Sequence, residues 1–200
     1  MKNIFFAIGF IAFAFIANSQ ENKPQILLQP ASWEFEKFEL PPSFAPEITY
    51  KGAEEIRFAP GMFNKDSANY FTYVFVAQID KITPISETDV KNYLTWYFKG
   101  LCSTTARDRT LVIDSTKISA TVKKKSKPAG MESAWDATVN LFGVFTDGAA
   151  LKLNMEVSVV NNPVTNKTFL FFLASPRDKK DPIWNDLHDI GKHGVEMVKK

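Results

Sequence analysis

The chain has 200 residues, 24 Lys+Arg against 22 Asp+Glu for a formal net charge of +2, 45% hydrophobic residues and one cysteine. That length suits a single domain with a real core. The near balance of charge excludes bulk attraction to nucleic acid or to an anionic membrane surface, and a lone thiol excludes an internal disulfide, so stability must come from packing.

Residues 1–19 read as a secretory signal: Lys2, an apolar run from Ile4 to Ala17, then small residues ahead of a cut between Ser19 and Gln20. The run is shorter than the ~20 residues a bilayer span needs, and no cysteine stands by the cut to carry a lipid. The expectation is a secreted or periplasmic protein with no transmembrane segment after cleavage. Lys2 is the only charge in the signal, so the remaining 181 residues carry 23 basic and 22 acidic side chains.

Residues 20–48 hold Pro24, Pro30, Pro41, Pro42 and Pro46, which keep the chain extended. This is expected to be a proline-rich arm with a short edge strand near Trp33–Glu39, leaving 49–200 as one domain. Ile56 and Phe58 mark the next strand, ended by a type II turn at Pro60-Gly61. Tyr70 to Ile79 is apolar almost throughout, the pattern of a strand covered on both faces, and Phe169 to Leu173 repeats it. Ser86 and Asp89 open a helix in capping-box fashion, with Val90, Leu94, Tyr97 and Leu101 at helical spacing. Beyond it a further strand, traced from Leu111, is expected, its alternation clean over Thr116–Lys123 with Ile118, Ala120 and Val122 on the core side. Asp181-Pro182 starts a second helix along Ile183, Leu187, Ile190 and Val198, in which Gly191 and Gly194 imply close approach to the sheet or an early end.

The clearest element is a hairpin. Trp135, Ala137, Val139 and Leu141 alternate with Asp136, Thr138 and Asn140, and Leu151, Leu153, Met155 and Val157 alternate with Lys152, Asn154 and Glu156. A three-residue loop Thr146-Asp147-Gly148, with Gly148 left-handed, would place Leu141 opposite Leu153.

The resulting order, β-β-β-α-β-β-β-β-α, predicts an α+β fold: a largely antiparallel sheet of six to seven strands between two helices, with the Tyr70 and Leu111 strands parallel across the first helix. In order of elements the chain resembles the PsbP-like α/β/α sandwich; no motif of that family is matched and no functional residue is carried over.

Following strand direction, the loops Gly61–Asn69, Thr105–Thr110, Thr146–Ala149 and Ser175–Asp181 should share one end. There Arg107, Asp108, Arg109 and Arg177 are candidate ligand-binding residues, since arginines beside a helix start could hold a carboxylate or phosphate; solvated loop charges are the plainer alternative. No catalytic residue, metal site or cofactor motif is identified. Cys102 beside His188 or His193 could form a thiolate pair, but its place on an apolar helix side fits a small buried hydrophobe better. Asp189 and His193 are too few for a metal, and Lys123, Lys124, Lys125 and Lys127 read as a solvated strand end. The expected function is a non-catalytic binding or assembly module that engages a ligand or an envelope protein through the charged loop end or the arm. The alternative is a hydrolase-like enzyme using Asp108 or Asp147 as base and the arginines as an anion clamp.

Overall fold

The computed structural model describes residues 24–200; the expected signal segment and its cut lie outside them. The elements are β1 (Glu34–Leu40), β2 (Gly52–Phe58), β3 (Tyr73–Ile79), α1 (Glu87–Asp108), β4 (Ser119–Lys124), β5 (Ser133–Phe142), β6 (Ala150–Asn162), β7 (Lys167–Ser175) and α2 (Ile183–Val198). They build one seven-stranded sheet in the order β1-β2-β3-β7-β6-β5-β4, every neighbouring pair antiparallel. No helix among the described residues is long and apolar enough to cross a membrane.

The two apolar runs, β3 and β7, lie side by side, with Phe75 opposite Phe172. Because side chains alternate across a strand, one set (Phe75, Ala77, Leu170, Phe172) packs against Val90, Tyr93, Leu94 and Phe98 of α1. The other set (Val74, Val76, Phe169, Phe171) packs against Trp184, Leu187 and Ile190 of α2. The helices therefore cover opposite faces, which is what two all-apolar strands require.

Local chemistry sets the element ends. The Ser86 hydroxyl accepts from the Asp89 N–H while the Asp89 carboxylate accepts from the Ser86 N–H, a complete capping box. At α2 the Asp181 carboxylate accepts from the Ile183 N–H. Gly191 and Gly194 permit close packing: a methyl added at Gly191 would stand 3.1 Å from Leu173, and one at Gly194 2.7 Å from the Phe171 ring. At Pro60-Gly61 the Met62 N–H returns to the Ala59 carbonyl and Gly61 has φ 85°, the expected type II turn.

Part of the arm belongs to the sheet, since β1 pairs with β2 along its whole length as an edge strand. The segment before it lies over the α2 face, where Ile26, Leu27 and Trp33 are buried.

Three expectations need correction. No strand starts at Leu111: residues 111–114 are irregular, Ser115–Lys117 is one 3-10 turn, and β4 begins at Ser119. β3 and β4 do point the same way, but β7, β6 and β5 separate them by four antiparallel steps. In the β5–β6 hairpin Leu141 faces Leu151 and Val139 faces Leu153, two residues from the expected register but on the same face. The connection runs from Gly143 to Ala149, because Gly143 accepts from Thr146 and Gly148 and donates to Ala149, while Val144 turns into the core. Gly148 is left-handed, with φ 72°.

Candidate functional site

Three of the expected loops meet at one end together with the segment after α1, and named contacts tie them together; residues 105–108 of the fourth expected loop are instead the last turn of α1. Lys65 pairs with Asp147, the Tyr70 hydroxyl lies 2.9 Å from Thr146 Oγ1, and Phe63 meets Phe145 edge-on at 5.3 Å. A side chain at Gly148 would touch Leu111 and Ile113, which follow α1. Arg177, in the loop before α2, donates to the carbonyls of Ala68 (2.8 Å) and Ser67 (3.3 Å). The hairpin loop 143–149 thus sits between the loop before β3 and the segment after α1.

The candidate arginines occupy this end without converging. Arg177 is held by the two carbonyls just named; Arg107 is 76% exposed with Nε 3.4 Å from Asp108 Oδ1; Arg109 is an exposed residue closing α1. Lys65 draws the Asp147 carboxyl below the usual carboxylate range, the opposite of what a base working near neutral pH needs. Two surface cavities, of about 130 and 100 Å³, lie away from this end, and both are well under the ~300 Å³ at which pockets for drug-sized ligands begin. What the loop end does present is apolar surface among charges: Phe63 is 45% exposed and Val112 is 99% exposed.

Three buried charged side chains, Glu54, Glu55 and Arg57, lie on β2, where only Ile56 and Phe58 stand out by periodicity. Glu54 has no exposed surface and accepts hydrogen bonds from the hydroxyls of Tyr93 (2.9 Å) and Tyr97 (2.7 Å) on α1. Burial pushes its carboxyl up to about 8, against the lowering effect of the two tyrosines. On the other face of β2, buried Glu55 accepts from the backbone N–H groups of Gln25, Ile26 and Leu27. Arg57 donates to the carbonyls of Leu27, Leu28 and Trp33. Together they pin the arm. The available signal was Glu54 on the same parity as Ile56 and Phe58: a charge on a core-facing position needs buried partners.

Cys102 is buried on the α1 face, with its thiol 3.7 Å from the Phe142 carbonyl and pushed up to about 11 by burial. His188 and His193 are on α2, beyond the sheet, so no thiolate–imidazole pair can form. His193 Nδ1 lies against the Asp189 carbonyl, and no cluster of three or more metal-binding side chains occurs among the described residues. Lys125 joins Lys179 in a network with Asp136 and Glu156 on the open face of β5 and β6, and the two lysines hold the Glu156 carboxyl down to about 2 against the raising effect of its own burial. Of the four tryptophans, Trp33, Trp135 and Trp184 are buried and Trp96 is 36% exposed.

Comparison with protein-family models, with curated proteins and with solved structures found no match. The functional reading therefore rests on this chain's own surface.

Proposed function

We propose that this is an exported, non-catalytic binding module that engages a partner protein through the loop end. The observation that carries the reading is a set of loops joined to one another and to the segment after α1 by side-chain contacts, exposing Phe63 and Val112 amid Lys65, Arg107, Arg109 and Asp147. Apolar anchors with a charged rim are the make-up of a protein interface. The ties between loops also mean that little ordering entropy is lost on binding. The hydrolase-like alternative has no comparable support, since the one carboxyl pushed strongly upward among the described residues, Glu54, is sealed in the core.

The test is a double variant, Phe63→Ser with Val112→Asp, compared with the wild type in crosslinking and co-purification from the native cell envelope. The reading expects a discrete complex that the double variant loses while its melting temperature holds. A complex that survives the double substitution but is lost on changing Thr138 and Asn140, on the polar face of β5, would move the interface elsewhere.

A further inference from the structure

The two edges of the sheet carry opposite charge. β1, at one edge, exposes Glu34, Glu36 and Glu39, which have no ion-pair partner among the described residues, while its one lysine, Lys37, turns to Gln25 and Glu55. β4, at the other edge, exposes Lys123 and Lys124, likewise without a paired acid among the described residues, and leads into Lys125. We propose that β1 of one molecule adds to β4 of a second copy of this chain, antiparallel and head to tail, so that successive copies extend the sheet into a linear assembly.

The hydrogen-bonding phase of the two edges fixes the register. The Lys125 N–H donates to the Ala134 carbonyl, so the odd-numbered residues of β4 bond to β5, and Ala120, Val122 and Lys124 turn their N–H and C=O groups outward. At the other edge Ala59 donates to Thr72 and Asp80 to Lys51, so the odd-numbered residues of β2 bond to β3 and the even-numbered ones to β1. That leaves Phe35, Lys37 and Glu39 facing outward from β1. An antiparallel ladder joins outward groups to outward groups. Within this constraint one register uses all six residues of β4, setting Lys124, Val122 and Ala120 against Phe35, Lys37 and Glu39. The same register places Lys123 opposite Glu36 and Lys125 opposite Glu34, in the non-hydrogen-bonded positions where cross-strand side chains approach most closely.

The faces agree with this pairing. Six antiparallel steps leave β1 and β4 running the same way, so an antiparallel joint turns the second copy over. Glu36 lies on the α1 face with Phe38 and Leu40, and Lys123 lies on the face away from Ala120 and Val122. Turning one copy over brings Glu36 and Lys123 to the same side. A parallel joint would instead leave Glu34 and Glu36 beside the Ser119 end of β4, away from the lysines. Symmetric pairing is opposed by charge, since β1 on β1 gathers carboxylates and β4 on β4 gathers lysines. The Glu36 carboxyl is pushed above its ordinary range, first by burial and then by Glu34 beside it, as befits an edge short of a cation. A joint between unlike surfaces leaves one β1 and one β4 unused, so it does not close at a dimer.

Sedimentation velocity of the protein as purified after export, from micromolar to millimolar concentration, tests the assembly. The proposal expects species that grow past the dimer as concentration rises and shrink at high salt. Glu36→Lys and Lys123→Glu should each weaken association about tenfold, the effect of turning one attractive cross-strand pair into a repulsive one. An equimolar mixture of these two variants should regain it, as should the double variant, because each restores unlike charges across the joint. Glu36→Cys with Lys123→Cys should give a ladder of disulfide-linked species under mild oxidation, since directly opposed residues lie within disulfide reach. Glu36→Cys with Lys124→Cys, whose side chains leave opposite faces, should not. A monomer at every concentration, a series that stops at the dimer, or single variants that assemble as the wild type or are not rescued by mixing would overturn the proposal.

Discussion

The Tyr97 hydroxyl donates a 2.7 Å hydrogen bond to Oε1 of Glu54, a carboxyl with no exposed surface, and Tyr93 donates to Oε2 at 2.9 Å. This joins α1 to β2 through the only fully buried carboxyl group on the α1 face among the described residues. Two hydroxyl donors offset only part of the cost of burying its charge.

A pH dependence follows. Glu54 is raised from 4.5 to about 8, so the native state holds its proton where the unfolded chain has lost it. Its contribution to stability is fully present below about pH 4.5 and is lost as pH rises through about 8, in total about 5 kcal/mol at 1.36 kcal/mol per unit. Glu156, down at about 2, is ionised in both states across this window and does not contribute. Urea unfolding midpoints of the wild type should fall between pH 5 and pH 9, and Glu54→Gln should remove most of that slope and be the more stable form at pH 9. Parallel slopes in the two proteins would mean that Glu54 does not titrate in this way.

Glu55 is the anchor of the arm. Glu55→Ala would leave the N–H groups of Gln25, Ile26 and Leu27 without their acceptor, at about 1–3 kcal/mol for each that stays buried. The expected result is a loss of about 3 kcal/mol and fast hydrogen exchange at residues 25–27, with exchange in β3 and β7 less affected. Glu55→Gln should be intermediate. Unchanged protection of Ile26 and Leu27 in the alanine variant would show the arm to be held by apolar contacts alone.

Gly100 faces the backbone of the 41–48 segment. A methyl group there would overlap the Phe44 carbonyl, which belongs to backbone and cannot rotate away. Alanine in a helix interior normally gains up to ~1 kcal/mol over glycine; here the overlap should dominate and Gly100→Ala should destabilise by about 1–3 kcal/mol. A melting temperature at or above wild type would contradict the tight contact.

Cys102 should be inert. Its thiol is fully buried and raised to about 11, so thiolate is scarce at neutral pH and reagents have no path to it. Modification by a disulfide reagent should need denaturant; rapid labelling of the native protein would show that the α1 layer opens.

Much of this architecture is legible in the residues. The doubly apolar runs in β3 and β7 require covering layers on both faces, and Ser86-Asp89, Pro60-Gly61 and Asp181-Pro182 are local signals whose chemistry acts within four residues. The rest depends on partners far along the chain. The hairpin register escapes a turn-based reading because Val144 is drawn into the core, so the connection lengthens to bury it. The carboxylate of Glu54 finds its hydroxyls 39 and 43 residues on. Arg177 is captured by carbonyls 109 and 110 residues away. Direction of tracing places these connections at one end, though residues 105–108 are the last turn of α1 and not loop; whether an arginine faces a ligand or a neighbouring carbonyl is decided by side-chain contacts that periodicity does not encode.

The binding reading is tested most directly by site-specific photocrosslinking in the native host, with a benzoylphenylalanine in place of Val112 and, separately, of Thr138 on the polar sheet face. The account predicts a discrete protein adduct from position 112 and none from position 138. No adduct at 112, or the same adducts from both positions, would contradict it.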